Sequence, residues 1–293
     1  MSVSVGSTFN GILVDNTTYT MTEDMPRTTE FTLAADNSGI GIVWEGNGFG
    51  VLVTNSNWLG LFPCAVVVSN LSVRSGDRAA NEAGWFFRLG VGGTATHCYS
   101  VGDIGQNGGG IFGRNSNGSA INCYSTGAIR IASGGIFGYM SSGSATNCYS
   151  RGAIGNGGGG IFGAYIQGSQ ISGSATNCYS TGAISESGGG IFGAYSKGSV
   201  TNCYTTGSTA GTFQAGVILG VGSQTSVTSS GHSDGWSDAS ANTFLTGTPS
   251  EAGPGTIWIS TSSDTPYTLV PATTTTAPPT TAPPTTAPPT TAP

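Results

Sequence analysis

From Cys98 onward the apolar positions fall into short groups at fixed offsets, parted by glycine, serine and asparagine. Cys98, Cys123 and Cys148 stand 25 residues apart, Cys178 follows after 30, and Cys203 after another 25. Six residues beyond each cysteine comes Ile104, Ile129, Ile154 or Ile184. Thirteen and fourteen beyond it come Ile111-Phe112, Ile136-Phe137, Ile161-Phe162 and Ile191-Phe192, with glycines on both sides. Short apolar segments bounded by turn formers predict three strands and three turns per repeat. A helix with this glycine load would lose about 1 kcal/mol per glycine relative to alanine, so helical repeats are excluded.

A turn of about 25 residues with three strands makes a solenoid. The predicted fold is all-β, a right-handed parallel β-helix with an extended, polyproline-II-like C-terminal tail. Coils then stack at about 4.8 Å, like residue on like. The five-residue excess before Cys178 falls in "AYIQGSQISGSATN" and reads as a loop insertion that leaves the stack intact.

The residue before each cysteine is Asn122, Asn147, Asn177 or Asn202, with His97 as the exception. Asparagine tolerates the left-handed conformation that tight corners need, and its amide can bond the copies above and below. The predicted structural ladder is thus Cys98, Cys123, Cys148, Cys178 and Cys203 beside these asparagines. Charge is scarce because like charges at this spacing would repel at every level.

Four segments follow from the pattern. Residues 1–94 form an N-terminal cap and the first coils, 95–222 the five-copy repeat, 223–270 the closing strands and 271–293 a Thr/Pro-rich stalk or linker. "GIVWEGNGFGVLV" (Gly41–Val53) and "AVVVSNLSVRS" (Ala65–Ser75) read as strand-turn-strand units. "AGWFFRLG" (Ala83–Gly90) takes the place of the later "GGIFG", with bulk suited to a cap. "GTIWIS" (Gly255–Ser260) and "PYTLV" (Pro266–Val270) read as the last strands.

Composition narrows the function. Fifty glycines in 293 residues without a three-residue period exclude collagen. A net charge of −6 with one lysine, Lys197, argues against nucleic acid. No stretch approaches the ~18 apolar residues of a membrane span. The first residues lack the basic start and apolar run of a secretory signal, which leaves a mature form, another export route or assembly into a particle.

The chemistry-bearing residues are few. A 25-residue cysteine spacing is unlike a zinc site, and stacked thiols point the same way rather than at each other, so the expectation is a buried thiol ladder. No metal and no cofactor is expected. Between His97 and His232 the acids are Asp103 and Glu186, too many coils apart to act as a carboxylate pair. The charged cluster Arg74, Asp77, Arg78, Glu82 and Arg88 reads as salt-bridged loops or as a site. Asn16, Asn70 and Asn117 begin N-glycosylation sequons. If the cysteines face in, Tyr99, Tyr124, Tyr149, Tyr179 and Tyr204 face out. They then form either a glycan- or subunit-binding stripe or a self-stacked ladder that stiffens the rod.

The run "ATNCYSTGAI…GGGIFG" (Ala175–Ile184 and Gly188–Gly193) resembles the GLUG-type repeat of right-handed parallel β-helix surface proteins. Such repeats are found in bacterial adhesins and, in this Cys-Tyr-Ser form, in proteins of large DNA viruses. The likeness spans about Gly39 to Val270. It implies an architecture, and the lack of a signal tilts the expectation toward a virion.

The tail from Thr273 reads "TTTTAPPTTAPPTTAPPTTAP". Paired prolines favour polyproline II, and threonine with proline is the composition of O-glycosylated stalks. Thr280, Thr281, Thr285, Thr286, Thr290 and Thr291 are the candidate attachment points; a bare spacer is the other reading. The expected function is a non-enzymatic structural surface protein: a virion fibre, spike or capsid-decorating subunit, or a cell-surface fibre. Its partners would be copies of itself, other surface or capsid proteins, and possible glycans. The rival is a β-helix module that binds or cleaves carbohydrate.

Overall fold

The computed structural model describes residues 1–168, 172–209, 218–228, 231–232, 256–259 and 268–271. Among them the chain is all-β and winds as a parallel solenoid. One face is a ten-stranded parallel sheet: Ser2–Val5, Thr18–Met21, Val43–Glu45, Val67–Ser69, Thr94–Thr96, Ser119–Ile121, Ser144–Thr146, Gly173–Thr176, Lys197–Thr201 and Gln224–Thr228. The second face is a nine-stranded parallel sheet that includes Ser72–Arg78, Tyr99–Asp103 and the Tyr-Ser pairs from Tyr124 to Ser180. Register is kept at every level of the repeat: Tyr99 pairs with Tyr124, Tyr124 with Tyr149, Tyr149 with Tyr179 and Tyr179 with Tyr204.

Outside the short parallel pair Ile12–Leu13 and Thr32–Leu33, the third side carries no continuous strand among the described residues. It is built from single-residue bridges in columns, Ile104 to Ile129 to Ile154 to Ile184, and Phe62 to Phe87 to Phe112 to Phe137 to Phe162 to Phe192. The backbone explains this. The amides of both Ile136 and Phe137 donate to the one carbonyl of Ile161, at 3.0 and 2.9 Å. A strand alternates its amide directions, so two adjacent amides aimed at one oxygen mark a bend, which the flanking glycines permit.

Each coil of the repeat turns three corners, and most of these hold a left-handed residue. One column is His97, Asn122, Asn147, Asn177 and Asn202, with φ between 50° and 55°. A second is Glu82, Asn107, Ala132, Gly157 and Ser187, and a third includes Gly90, Asn115, Met140 and Tyr195. Side chains other than glycine and asparagine lose about 1–2 kcal/mol in this conformation, so the stack holds several corners against local preference.

The core is thin. Ala95, Ala120, Ala145 and Ala175 point inward from the first sheet, and the phenylalanine rings fill the space opposite. A Cβ at Gly118 would lie 2.2 Å from Phe112, and one at Gly143 would lie 2.3 Å from Phe137. Glycine is required there because the strand enters across the ring. Toward the N-terminus the core widens and takes Trp44, Trp58 and Trp85, all fully buried, with Phe31 and Tyr19 packed around Trp44.

The flanks differ from expectation in two respects. "AGWFFRLG" does hold the place of "GGIFG", since Gly84 pairs with Gly109 and Phe87 with Phe112. It is not terminal, however: Phe62 pairs with Phe87, and four strands of the first sheet precede Thr94. The expected closing segment continues the coil at its start, where Gln224–Thr228 and Gly231–His232 join the two large sheets, but its expected last strands do not. Thr256–Ile259 and Thr268–Pro271 pair with each other antiparallel, as a separate two-stranded sheet. The tail, with Thr280, Thr281, Thr285, Thr286, Thr290 and Thr291, lies outside the described residues.

Candidate functional surface

The cysteine column lies on the corner before the second sheet. Cys98, Cys123, Cys148, Cys178 and Cys203 are fully buried, and all six cysteines are free thiols. Each column thiol faces the carbonyl two residues before it at 3.3 Å, as Cys148 does with Thr146. Burial pushes the thiols of Cys98, Cys148 and Cys203 well up. A thiol enclosed without access to solvent neither attacks nor ligates, so this column is core.

The asparagine column is a hydrogen-bonded ladder along one edge. Asn147 donates through Nδ2 to Oδ1 of Asn122 at 3.0 Å, and Asn177 to Asn147 at 3.1 Å. Asn122 Nδ2 meets Nε2 of His97 at 3.0 Å, so the histidine fills an asparagine's place with the same φ.

The tyrosines take the second of the two forms expected of them, a self-stacked ladder, and not an exposed stripe. Tyr99 and Tyr124 are half-buried, Tyr149 is buried, and Tyr179 and Tyr204 are wholly enclosed. Their rings stack face to face, with centroids 4.7, 4.6, 4.8 and 5.2 Å apart. They do alternate with inward residues: Ser100, Ser125, Ser150, Ser180 and Thr205 take the buried inner side. Outward direction did not mean full exposure, because stacked rings cover one another's faces, although Tyr124, stacked on both sides, keeps part of its edge open. Burial, and then the neighbouring Tyr99, push the Tyr124 phenol up to about 12.

The charged cluster does not converge. Arg74 pairs with Asp24 at 2.8 Å, and Glu82 is bonded to Arg114. Arg88 donates to the carbonyls of Phe31 at 2.9 Å and Gly60 at 3.3 Å. Asp77 and Arg78 are exposed at the end of their strand. Asp103 accepts from the Ala128 amide at 3.0 Å and sits 3.5 Å from Arg130, while Glu186 lies coils away on an exposed corner. Arg74 and Arg88 thus tie their segments to earlier coils. Among the described residues no three His, Cys, Asp or Glu side chains are grouped to hold a metal. No described helix is long and apolar enough to cross a membrane. The sequon asparagines Asn16, Asn70 and Asn117 are all exposed, and Asn70 also donates to Glu45 at 3.0 Å.

One surface escaped the sequence reading. The outward positions of the first sheet form two columns, Thr94, Ser119, Ser144, Ser174, Ser199 and Thr96, Ile121, Thr146, Thr176, Thr201. All ten are half-buried and uncharged, and Ser144 bonds Ser119 through the hydroxyls at 3.2 Å. An open trough of about 820 Å³ runs beside the first column, between these hydroxyls and Asn117, Ser142 and Ser172. Its only sequence signal is the triplet before each Asn-Cys or His-Cys, Ser/Thr-x-Thr or Ser-x-Ile, which read as turn-like composition.

The fold and its columns define a parallel β-solenoid built on a tandem repeat of about 25 residues. No protein-family model matches the chain, and no curated protein or solved structure is detectably similar to it.

Proposed function

We propose that this chain is a non-enzymatic structural protein of a virion or cell surface, a stiff rod carried on a Thr/Pro stalk. The observation behind this reading is the repetition of internal ladders. Cysteine, isoleucine, phenylalanine, tyrosine and asparagine each recur in register from coil to coil, and each column is occupied with contacts to its own copies. Such a structure devotes its side chains to axial stiffness. The ten strands of the first sheet give a body about 43 Å long at the usual spacing. A 21-residue polyproline-II tail would add up to about 65 Å. A GLUG-type origin, display on a particle and O-glycosylation of the tail belong to the same proposal.

The test is labelling of native particles or cells with an antibody against the solenoid, read by electron microscopy, beside incubation of the purified chain with a polysaccharide panel. Surface labelling without polysaccharide cleavage is expected. Label confined to the interior, or turnover of any glycan, would refute the reading.

A further inference from the structure

We propose that the hydroxyl columns of the first sheet form an ice-binding face. Nine of the ten outward residues between Thr94 and Thr201 carry a hydroxyl, and the tenth, Ile121, shares threonine's branched shape. Register fixes a lattice of about 4.8 Å along the rod and about 6.6 Å across the strand. The first spacing lies within a few tenths of an ångström of the oxygen repeat along the a axis of hexagonal ice. The second is crossed only once, so its mismatch does not accumulate.

A lattice is useful only if it is flat and rigid, and both properties are visible. Sheets ordinarily twist by about 20–25° per strand unless side-chain ladders hold them flat. Here the planes of the phenylalanine rings beneath the face stay within 3°, 4°, 4° and 5° of parallel from level to level, the kind of ladder that resists twist. Threonine's branched Cβ restricts χ1, so its hydroxyl and methyl are pre-oriented before any ligand arrives.

The chemistry favours ice over other occupants. A hydroxyl both donates and accepts, as lattice water does. The ten positions hold no charge, and Lys197 stands at one end of the face, on the strand of Ser199 and Thr201. A charged polymer finds no partner there. A crystalline polysaccharide offers sugar faces suited to aromatic rings, and none of the ten positions is aromatic.

The experiment measures thermal hysteresis and crystal shape with the purified chain. Wild-type protein should depress the freezing point below the melting point and facet the crystals. Thr146→Lys with Thr176→Lys should lower the hysteresis at least tenfold at equal concentration, with the thermal melt of the protein unchanged. Ser144→Tyr, which suits a strand but breaks the plane, should do the same if the lysine pair fails to fold. Ile131→Lys, at an exposed position outside these two columns, should keep wild-type activity. Absence of hysteresis in the wild type overturns the proposal, as does its survival in a folded face variant. Capture by microcrystalline cellulose without any effect on ice overturns it too. A rod without hysteresis would leave the structural role standing, so the two readings fail separately.

Discussion

Replacing Asn147 tests the corner ladder one residue at a time. Asn147 has φ of 55°, donates to Asn122 at 3.0 Å and accepts from Asn177 at 3.1 Å. Asn147→Ala removes both side-chain bonds, at about 1 kcal/mol each. It also puts an alanine in the left-handed region, which adds about 1 kcal/mol. The expected loss is about 3 kcal/mol, or roughly 6–12 °C in melting temperature for a domain of this size. Asn147→Gly loses the same two bonds but adopts the corner freely, offset in part by the entropy glycine brings to the unfolded chain. Its loss should be about 2 kcal/mol. Urea unfolding of the three proteins, at unchanged m-value, measures both numbers. An alanine variant within about 0.5 kcal/mol of wild type would refute the ladder as a stabilising element. A glycine variant less stable than the alanine variant would refute the conformational part.

Three further outcomes follow from the buried columns and the tail. Ile154→Asp places a lone carboxylate in the isoleucine column between Ile129 and Ile184, at a cost of several kcal/mol, and should abolish cooperative folding by circular dichroism; a soluble, sharply melting variant would contradict its inward position. The Tyr124 phenol, raised to about 12, favours the folded state fully below the free value of about 10. That contribution is lost as pH rises from about 10 through 12, because the unfolded chain gives up its proton first; ultraviolet titration showing this phenol ionising near 10 would contradict the stacked arrangement. Intact mass of native protein should exceed the bare polypeptide by hexose-type increments if the tail is a stalk, and a bare mass would remove the sugars from the proposal.

The repeat was legible because its columns are chemically uniform: one cysteine, one isoleucine and one Ile-Phe pair mark each of the four coils that begin at Cys98, Cys123, Cys148 and Cys178. The coils before Thr94 were harder to see, since the same slots hold Tyr19, Trp44 and Val68 on one face, and Phe62 sits in "GLFPC". Only one corner of three could be read. Asparagine announces a left-handed residue, but Ala132, Met140, Ser187 and Tyr195 adopt the same φ under the constraint of the stack. The tyrosines' direction was legible but their exposure was left open between a stripe and a self-stacked ladder, because period-2 alternation says which face a ring occupies and nothing about what covers it. The hydroxyl face was missed for a related reason. Serine and threonine in short runs look like loop composition until register sets them side by side.

The central claim is that residues one repeat apart in sequence are one strand spacing apart in space. Pulsed electron resonance between spin labels on the first sheet tests it directly. From Thr20, register leads through Glu45, Ser69, Thr96 and Ile121 to Thr146, five spacings or about 24 Å, and on through Thr176 to Thr201, seven spacings or about 34 Å. The account predicts that the Thr20–Thr146 and Thr20–Thr201 pairs differ by about 10 Å, each with a narrow distribution. Equal separations, or a spread that ignores the coil count, would contradict it.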